Sequence, residues 1–257
     1  MNFYTFIIDL TKEAGKELME KKDQHFSVGH KDGNIKDIVT SLDVELGQFI
    51  TTRIQSAFPD HAIHNEEAAD IIGNQYQWAI DPIDGSSAFA RHIPQYSISI
   101  GLLENGVPIA GAVLDPATNE LFSFEKGKGV FLNGFPVSAS NETDLKQSFV
   151  LLAAGRKTEQ IEWAGESLKT LLANVNKTKN FSSSALGLCY IAAGRIEGVV
   201  AGTFSTMDIA AAVGMLREAG GEMITANGEV AELSTSSQRL YFGNTQATAE
   251  NLRSLLE

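Results

Sequence analysis

Apolar side chains recur every three or four residues at the start of the chain, as they do along one face of a helix. The positions are Phe3, Ile7, Leu10, Ala14 and Leu18. The pattern therefore predicts an amphipathic helix over residues 2–22. A second helix is predicted over residues 43–57, and the polar, glycine-containing segment 25–36 predicts a loop or a short edge hairpin between the two.

Alternation of apolar and polar positions dominates the middle of the chain and predicts strands. A short apolar run ends at Asp81, and further strands follow it. They span residues 97–103, 108–114, 120–124 and a segment between Gly127 and Asn133. Turn signals such as Asn105-Gly106 separate them, so the middle of the chain is predicted to form an antiparallel meander.

Helical and strand patterns alternate again in the C-terminal part. The predicted helices span residues 161–175, 185–193 and 208–219. A strand is predicted at 198–201, and short strands and a final helix follow. No linker is long enough to divide the chain, so we expect one domain over residues 1–257, with an α+β part up to about residue 140 and an α/β part beyond it.

Composition and charge narrow the class of protein. The chain has 257 residues, of which 43% are hydrophobic, so it can bury a sizeable core. Its net charge of −12 repels nucleic acid and anionic membranes, and we expect neither as a general partner. The single cysteine, Cys189, falls in an apolar helix and suits a reducing cytoplasm. Charged residues interrupt the N-terminal apolar run, so neither a signal peptide nor a membrane span is predicted.

The segment Asp81-Pro82-Ile83-Asp84-Gly85-Ser86-Ser87 carries the most chemical information. Its two carboxylates follow an apolar strand, and the glycine lets the backbone turn closely. The turn can aim both carboxylates and the Ile83 carbonyl at one point, and hard oxygen ligands of this kind suit Mg²⁺. The amides after Asp84 would form an anion site at the start of a helix. The alternative is that Asp-Pro and Asp-Gly serve only as turn dipeptides.

Other acidic residues have a structural alternative when each is considered alone. Asn65-Glu66-Glu67 fits an N-cap followed by a first helical turn. Thr40 and Asp43 have the spacing of a capping box. Asp208 precedes the apolar stripe 209–216 and fits an N-cap as well. In isolation each of these residues is more often a helix cap than a metal ligand.

Taken together, these segments resemble the inositol monophosphatase family of the magnesium-dependent, lithium-sensitive phosphatase superfamily. The order and approximate spacing agree over nearly the whole chain. The matching segments are Lys36-Asp37-Ile38-Val39-Thr40-Ser41-Leu42-Asp43, Asn65-Glu66-Glu67, Asp81 to Ser86, Leu132-Asn133-Gly134, Met207 to Ala211 and Glu218-Ala219-Gly220-Gly221. The Asp-Pro-Ile-Asp-Gly motif is specific, and the Asp208 region adds to it.

The resemblance implies an α+β fold, a layered αβαβα sandwich of the sugar-phosphatase type. It also implies a homodimer with two to three Mg²⁺ ions per site. Glu66, Asp81 and the Ile83 carbonyl would hold one metal ion. Asp81, Asp84 and Asp208 would hold a second.

The same resemblance implies roles in catalysis and phosphate binding. Asp43 and Ser86 would orient the attacking water, with Glu66 in the same catalytic set. The phosphate would bind at the amides of Gly85 and Ser86, beside Asp84.

The chain departs from the family pattern on the substrate side. Ser86 stands where the family usually has threonine, and it keeps the hydroxyl. Ala201 matches an acidic residue that holds substrate hydroxyls, so a charge-assisted hydrogen bond of about 1.5–3 kcal/mol is missing there. Ser183 and Ser184 match a region that contacts substrate from the other side, and Asp208 is carried over as a further substrate contact. The phosphatase machinery is thus better matched than an inositol pocket.

We therefore expect magnesium-dependent hydrolysis of a small phosphate monoester, a sugar or polyol phosphate such as inositol monophosphate. A histidinol-phosphate or fructose-bisphosphate phosphatase is an alternative within the superfamily. A non-catalytic regulator that binds metal or phosphate is an alternative from another class. The intact acidic set argues against the regulator, because a non-catalytic descendant need not keep the water-orienting Asp43.

Overall fold

The computed structural model describes residues 2–31, 38–155, 157–234 and 238–257. The helices are α1 (Phe3–Lys21), α2 (Ser41–Ala57), α3 (Ser86–Phe89), α4 (Thr158–Asn174), α5 (Ser184–Ala192), α6 (Ala210–Glu218) and α7 (Gln246–Leu256). The first nine strands are β1 (Val28–His30), β2 (Ile38–Thr40), β3 (Ala62–Asn65), β4 (Tyr76–Asp84), β5 (Ser97–Glu104), β6 (Val107–Asp115), β7 (Glu120–Glu125), β8 (Gly129–Leu132) and β9 (Phe135–Val137). The later strands are β10 (Phe149–Ala153), β11 (Lys177–Asn180), β12 (Gly198–Phe204), β13 (Glu222–Thr225) and β14 (Gln238–Gly243). Within these described ranges no helix is both long enough and apolar enough to cross a lipid bilayer.

The strands of the described chain form three sheets. The largest has seven strands in the order β3-β4-β5-β6-β7-β8-β9. Only β3 and β4 pair in parallel, and the later antiparallel pairs confirm the predicted meander. A second sheet has five strands in the order β11-β10-β12-β14-β13 and mixes both directions. β1 and β2 form a separate antiparallel hairpin.

Buried apolar clusters show how the sheets and helices are layered. On the outer face of the seven-stranded sheet, α1 and α2 pack through residues such as Ile50 against Trp78. Between the two sheets lie α5 and α6, where Val213 shares a cluster with Phe122 of one sheet and Phe242 of the other. The far face of the five-stranded sheet is covered by α4 and α7. This arrangement is the predicted layered αβαβα sandwich.

Some predicted boundaries were wrong. α6 begins at Ala210, so Asp208 lies in the preceding loop and is not its N-cap. Asn65-Glu66-Glu67 forms a turn after β3 instead of opening a helix, and Asn65 Oδ1 accepts a hydrogen bond from Glu67 N at 3.1 Å. For 25–36 the prediction was a loop or a short edge hairpin; β1 lies within these bounds, but its partner β2 begins only at Ile38. Residues 32–37, including Lys36 and Asp37, lie outside the described residues.

Two glycines let α6 approach the seven-stranded sheet closely. A Cβ atom on Gly101 of β5 would lie 2.9 Å from Ala211 N, and one on Gly111 of β6 would lie 2.8 Å from Ala211 Cβ. The two glycines are register partners and therefore lie side by side. This contact fixes where α6, and the loop that carries Asp208, meet the sheet.

The glycine contact predicts opposite effects for two alanine substitutions. Gly101→Ala should destabilise the fold by about 1–3 kcal/mol, because the added methyl group meets backbone atoms of α6. Gly165→Ala, at an exposed position in α4 with no atom within 4 Å of the new Cβ, should be neutral or stabilise by up to about 1 kcal/mol. Urea unfolding of both variants measures the difference, and equal shifts of the midpoint would contradict the close contact.

Candidate active site

The alternation of side chains along β3 and β4 decides which residues face α6. His64 of β3 is the register partner of Ala79 of β4, so their side chains lie on the same face of the sheet. Ala79 packs in an apolar cluster with Ala210, the first residue of α6. Two positions further along each segment come Glu66 and Asp81, which therefore follow on the side that faces α6.

β4 ends in a bulge that turns the chain into α3. The pairing with β5 shifts between Asp81 and Asp84, and Asp81 Oδ1 accepts a hydrogen bond from Ile83 N at 3.0 Å. Gly85 has a φ angle of 100°, and a Cβ atom there would lie 2.6 Å from the Gln95 carbonyl oxygen. The turn therefore requires glycine, and it gathers both carboxylates at the end of the strand.

The capping box of α2 belongs to the same site. Asp43 Oδ2 accepts hydrogen bonds from the amide of Thr40, at 2.8 Å, and from its hydroxyl, which confirms the predicted box. Asp43 Oδ1 accepts from Ser86 Oγ at 2.7 Å, and Ser86 Oγ also lies 3.0 Å from the Ile83 carbonyl oxygen. Burial raises the pKa of Asp43, while the hydrogen bonds from Ser86 and Thr40 oppose the rise. One carboxylate thus caps a helix and fixes the Ser86 hydroxyl.

Asp84 is held by the first turn of α5. Its Oδ2 atom accepts hydrogen bonds from Ser183 Oγ and from Ala185 N, both at 2.7 Å. Ser183 also lies 3.0 Å from the Ser97 hydroxyl and caps α5 by accepting from the Leu186 amide. Burial raises the pKa of Asp84 to about 6, although these hydrogen bonds act in the opposite direction.

Asp81 and Glu66 form the most crowded acidic pair of the site. Burial raises the pKa of Asp81 well above its usual range, and the nearby charges of Glu66, Asp84 and Asp208 add to the rise. On its outer side, Glu66 accepts a hydrogen bond from Lys31 Nζ at 2.6 Å. Acidic groups from three chain segments therefore lie close to one another here.

Asp208 is held by a histidine that the sequence analysis did not single out. His64 Nε2 lies 3.1 Å from Asp208 Oδ1, and His64 Nδ1 lies 2.7 Å from Asp70 Oδ1. The hydrogen bond with Asp208 raises the pKa of His64. A polar residue between the buried Ile63 and Asn65 was the available signal, but alternation alone does not name its partner.

The donor set suits a hard divalent cation, because it consists of carboxylate and carbonyl oxygens. The crowding of buried carboxylates around Asp81 also favours positive charge at this place. As the side chains stand, however, no three acidic, histidine or cysteine residues of the described chain converge on one point that could hold a metal ion. Glu66, Asp84 and Asp208 each have one carboxylate oxygen held by an internal partner, so metal binding would use their second oxygens together with a local shift of the acidic set.

The structure corrects two of the expected substrate contacts. Ala201 is fully buried in β12 and packs in the apolar cluster between the sheets, so its side chain offers no surface to a substrate. Ser183 is 1% exposed and its hydroxyl is committed to Asp84 and Ser97. Ser184 is half-buried at the start of α5, and with Asp208 it remains a predicted contact.

The chain matches a known protein family over its whole length. The model of the inositol monophosphatase family matches residues 1–257. A Thermotoga maritima protein named fructose-1,6-bisphosphatase/inositol-1-monophosphatase is 32% identical over 244 residues, which cover 95% of this chain and 92% of the relative. A Pasteurella multocida protein named Nus factor SuhB is 34% identical over 197 residues, which cover 75% of this chain and 73% of the relative.

A solved structure shows the same fold. The Thermotoga maritima IMPase superposes with a TM-score of 0.90 at 29% identity, over 100% of this chain and 97% of that one. The family model, the similar relatives and the common fold all indicate the same family. The chain therefore belongs to the inositol monophosphatase family, a family of metal-dependent phosphatases, and is itself a phosphatase.

Proposed function

We propose that this phosphatase hydrolyses small sugar or polyol phosphates with two to three Mg²⁺ ions. The ligands we assign are Glu66, Asp81, Asp84, Asp208 and the Ile83 carbonyl. The observation that carries the proposal is that Asp81 and Asp84 lie buried at the bulged end of β4, where burial and the charges of Glu66, Asp84 and Asp208 raise the pKa of Asp81. A cation bound there would relieve this repulsion. When bound, Mg²⁺ lowers the pKa of water and stabilises the charge of the phosphoryl group.

Around that centre the chain supplies the positioning groups. We assign Ser86 to orient the attacking water, because Asp43 fixes its hydroxyl at 2.7 Å. Glu66 belongs to the same catalytic set, since its charge acts on both Asp43 and Asp81. The amides of Gly85 and Ser86, at the start of α3, are assigned to the phosphate. In-line displacement then needs no covalent intermediate on the chain.

The burial of Ala201 limits how the protein can recognise the hydroxyl groups of a sugar or polyol phosphate. With an alanine buried in the core, no carboxylate at this position can hold substrate hydroxyls. Inositol monophosphate therefore stays one candidate among several monoesters. Fructose bisphosphate is a second, because the Thermotoga relative is named for both activities. Histidinol phosphate is the third. A panel of these three compounds with MgCl₂ and inorganic phosphate detection compares their kcat/KM directly.

A second candidate function is that of a regulator, and a specific observation favours it. The Pasteurella relative is named a Nus factor, which is not the name of an enzyme. Turnover separates the two functions. A phosphatase releases phosphate catalytically from at least one monoester of the panel, whereas a regulator would bind without turnover.

We also propose that the protein acts in the cytoplasm as a homodimer. The lone Cys189 is fully buried in α5, which agrees with a reducing compartment. The homodimer rests on the resemblance to the family. Light scattering at micromolar concentration measures it.

The metal assignment predicts complete dependence on a divalent cation. Dialysis against a chelator should abolish phosphate release, because the assigned carboxylates repel each other and the phosphoryl group. MgCl₂ in excess of the chelator should restore it, while NaCl at equal ionic strength should not. Full activity in excess chelator would contradict the assignment.

Asp84→Asn tests one assigned ligand with little change in shape. Turnover should fall about a hundredfold or more, because the variant loses one anionic ligand and several kcal/mol of transition-state stabilisation. Asp60→Asn, at an exposed position, is the control and should leave turnover unchanged. A folded Asp84→Asn variant with wild-type turnover would show that Asp84 is not a ligand.

The stability of Asp84→Asn relative to wild type should depend on pH when a chelator keeps the site free of metal. The pKa of Asp84 is raised to about 6 in the fold, so protonated Asp84 stabilises the fold below its ordinary pKa of 3.8. That stabilisation is lost as the pH rises through about 6. The asparagine stays neutral and keeps an acceptor oxygen for Ser183. The melting temperature of Asp84→Asn relative to wild type should therefore be higher at pH 7.5 than at pH 4.5, on the order of one to a few degrees, and thermal melts at both pH values check it.

A further inference from the structure

We propose that His64, anchored by Asp70, is a positioning residue for Asp208. The proposal rests on the proposed function, since it gives Asp208 the role of a metal ligand. His64 lies between two carboxylates that come from opposite sides, with Nε2 at 3.1 Å from Asp208 and Nδ1 at 2.7 Å from Asp70. Both ring nitrogens are thereby engaged, and the plane of the imidazole is fixed.

Asp208 needs such a partner because of where it lies in the chain. It belongs to the loop before α6, and hydrogen bonds from the amides of Thr206 and Met207 to the Ser234 carbonyl fix only the backbone of that loop. Of the described residues, His64 is the one that donates a hydrogen bond to its carboxylate. The contact joins positions 144 residues apart and thus ties the loop to β3 of the seven-stranded sheet.

The alternation of side chains along β3 decides which face of the sheet His64 lies on. Its neighbours Ile63 and Asn65 turn to the side of α1 and α2, where Ile63 packs in the core and Asn65 donates to Thr51. His64 therefore turns to the opposite face, toward α6, and its side chain is only 14% exposed. Asp70, with a side chain 53% exposed, lies at the outer end and can act on Asp208 only through the ring.

A bland alternative is a surface ion pair with no effect on the site. Exposed ion pairs contribute little to stability, and removing such a pair would leave Mg²⁺ affinity unchanged. If His64 positions Asp208, its removal should instead change the affinity for the metal ion. With Oδ1 held by His64, the Asp208 carboxylate keeps one orientation near Asp81 and leaves its second oxygen to serve as the metal ligand. Partners that orient metal ligands in this way typically change metal affinity by about ten- to a hundredfold when removed.

The test measures Mg²⁺ binding without substrate, by titration calorimetry with MgCl₂. His64→Leu removes the hydrogen-bond donor, and His64→Gln keeps an N–H group near the position of Nε2. Asp70→Asn removes the negative charge of the anchor and keeps an acceptor oxygen, and because the position is exposed, folding is not at risk. Asp60→Asn is the matched control, an exposed aspartate just before β3 that contacts neither His64 nor Asp208 in the described chain.

We expect His64→Leu to weaken Mg²⁺ binding about ten- to a hundredfold, and Asp70→Asn to weaken it about threefold to tenfold. His64→Gln should stay within about threefold of wild type, and His64→Leu/Asp70→Asn should bind no more weakly than His64→Leu alone, because Asp70 acts through the ring. The Mg²⁺ concentration that gives half-maximal activity should rise among the variants in the same order as Mg²⁺ binding weakens. At saturating Mg²⁺, kcat should largely return to the wild-type value.

Wild-type Mg²⁺ affinity in both His64→Leu and Asp70→Asn would overturn the proposal. Equal loss in His64→Gln and His64→Leu would overturn it as well, because it would indicate packing instead of hydrogen bonding. A failure of the proposed function can be distinguished from a failure of the His64 proposal. If the wild type binds Mg²⁺ but releases no phosphate from any monoester, the calorimetric series still decides the role of His64. If the wild type binds no Mg²⁺, both proposals are wrong.

Discussion

Repulsion between like charges is the constraint around which this site is organised. Acidic side chains from four chain segments meet at one edge of the seven-stranded sheet, and burial makes their charges costly. Apart from Asp81, whose donor Ile83 lies in the same strand, each is accompanied by a donor from elsewhere in the chain. The pairs are Glu66 with Lys31, Asp208 with His64, Asp84 with Ser183 and Ala185, and Asp43 with Thr40 and Ser86. These donors let the carboxylates share a small volume, and they also set what a metal ion must displace or share.

The layered fold provides the distances that this compensation needs. Asp81 belongs to the sheet and Asp208 to the loop before α6, so their separation depends on how closely α6 approaches the strands. Gly101 and Gly111 permit that approach, because a side chain at either position would collide with Ala211. The same contact therefore contributes to the core and to the geometry of the site. A change that separates helix from sheet would alter both.

Local chemistry was predictable from the sequence, whereas long-range pairing was not. The Asp81–Ser87 turn, the Thr40–Asp43 box and the meander each depend on neighbours within about ten residues, which the sequence displays directly. The role of Asn65 was misjudged because an N-cap and an Asx turn begin with the same residue types. His64, Lys31 and Ser183 could not be paired in advance, since their partners lie between 35 and 144 residues away and only the fold brings them together. The burial of Ala201 was hidden for the same reason.

The structure also changes which acidic residues distinguish an enzyme from a non-catalytic regulator. Asp43 completes the capping box of α2, so a protein that had lost its activity would still gain about 1 kcal/mol by keeping it. Its presence therefore does not distinguish an enzyme from a regulator. Asp81 and Glu66 are different, because neither is the N-cap of a described helix, and burial together with the nearby charge of Glu66 raises the pKa of Asp81. Asp81 is buried and accepts a hydrogen bond from the Ile83 amide of the same turn. A bound cation would offset the repulsion within this pair, so the pair, and not Asp43, supports metal-dependent catalysis.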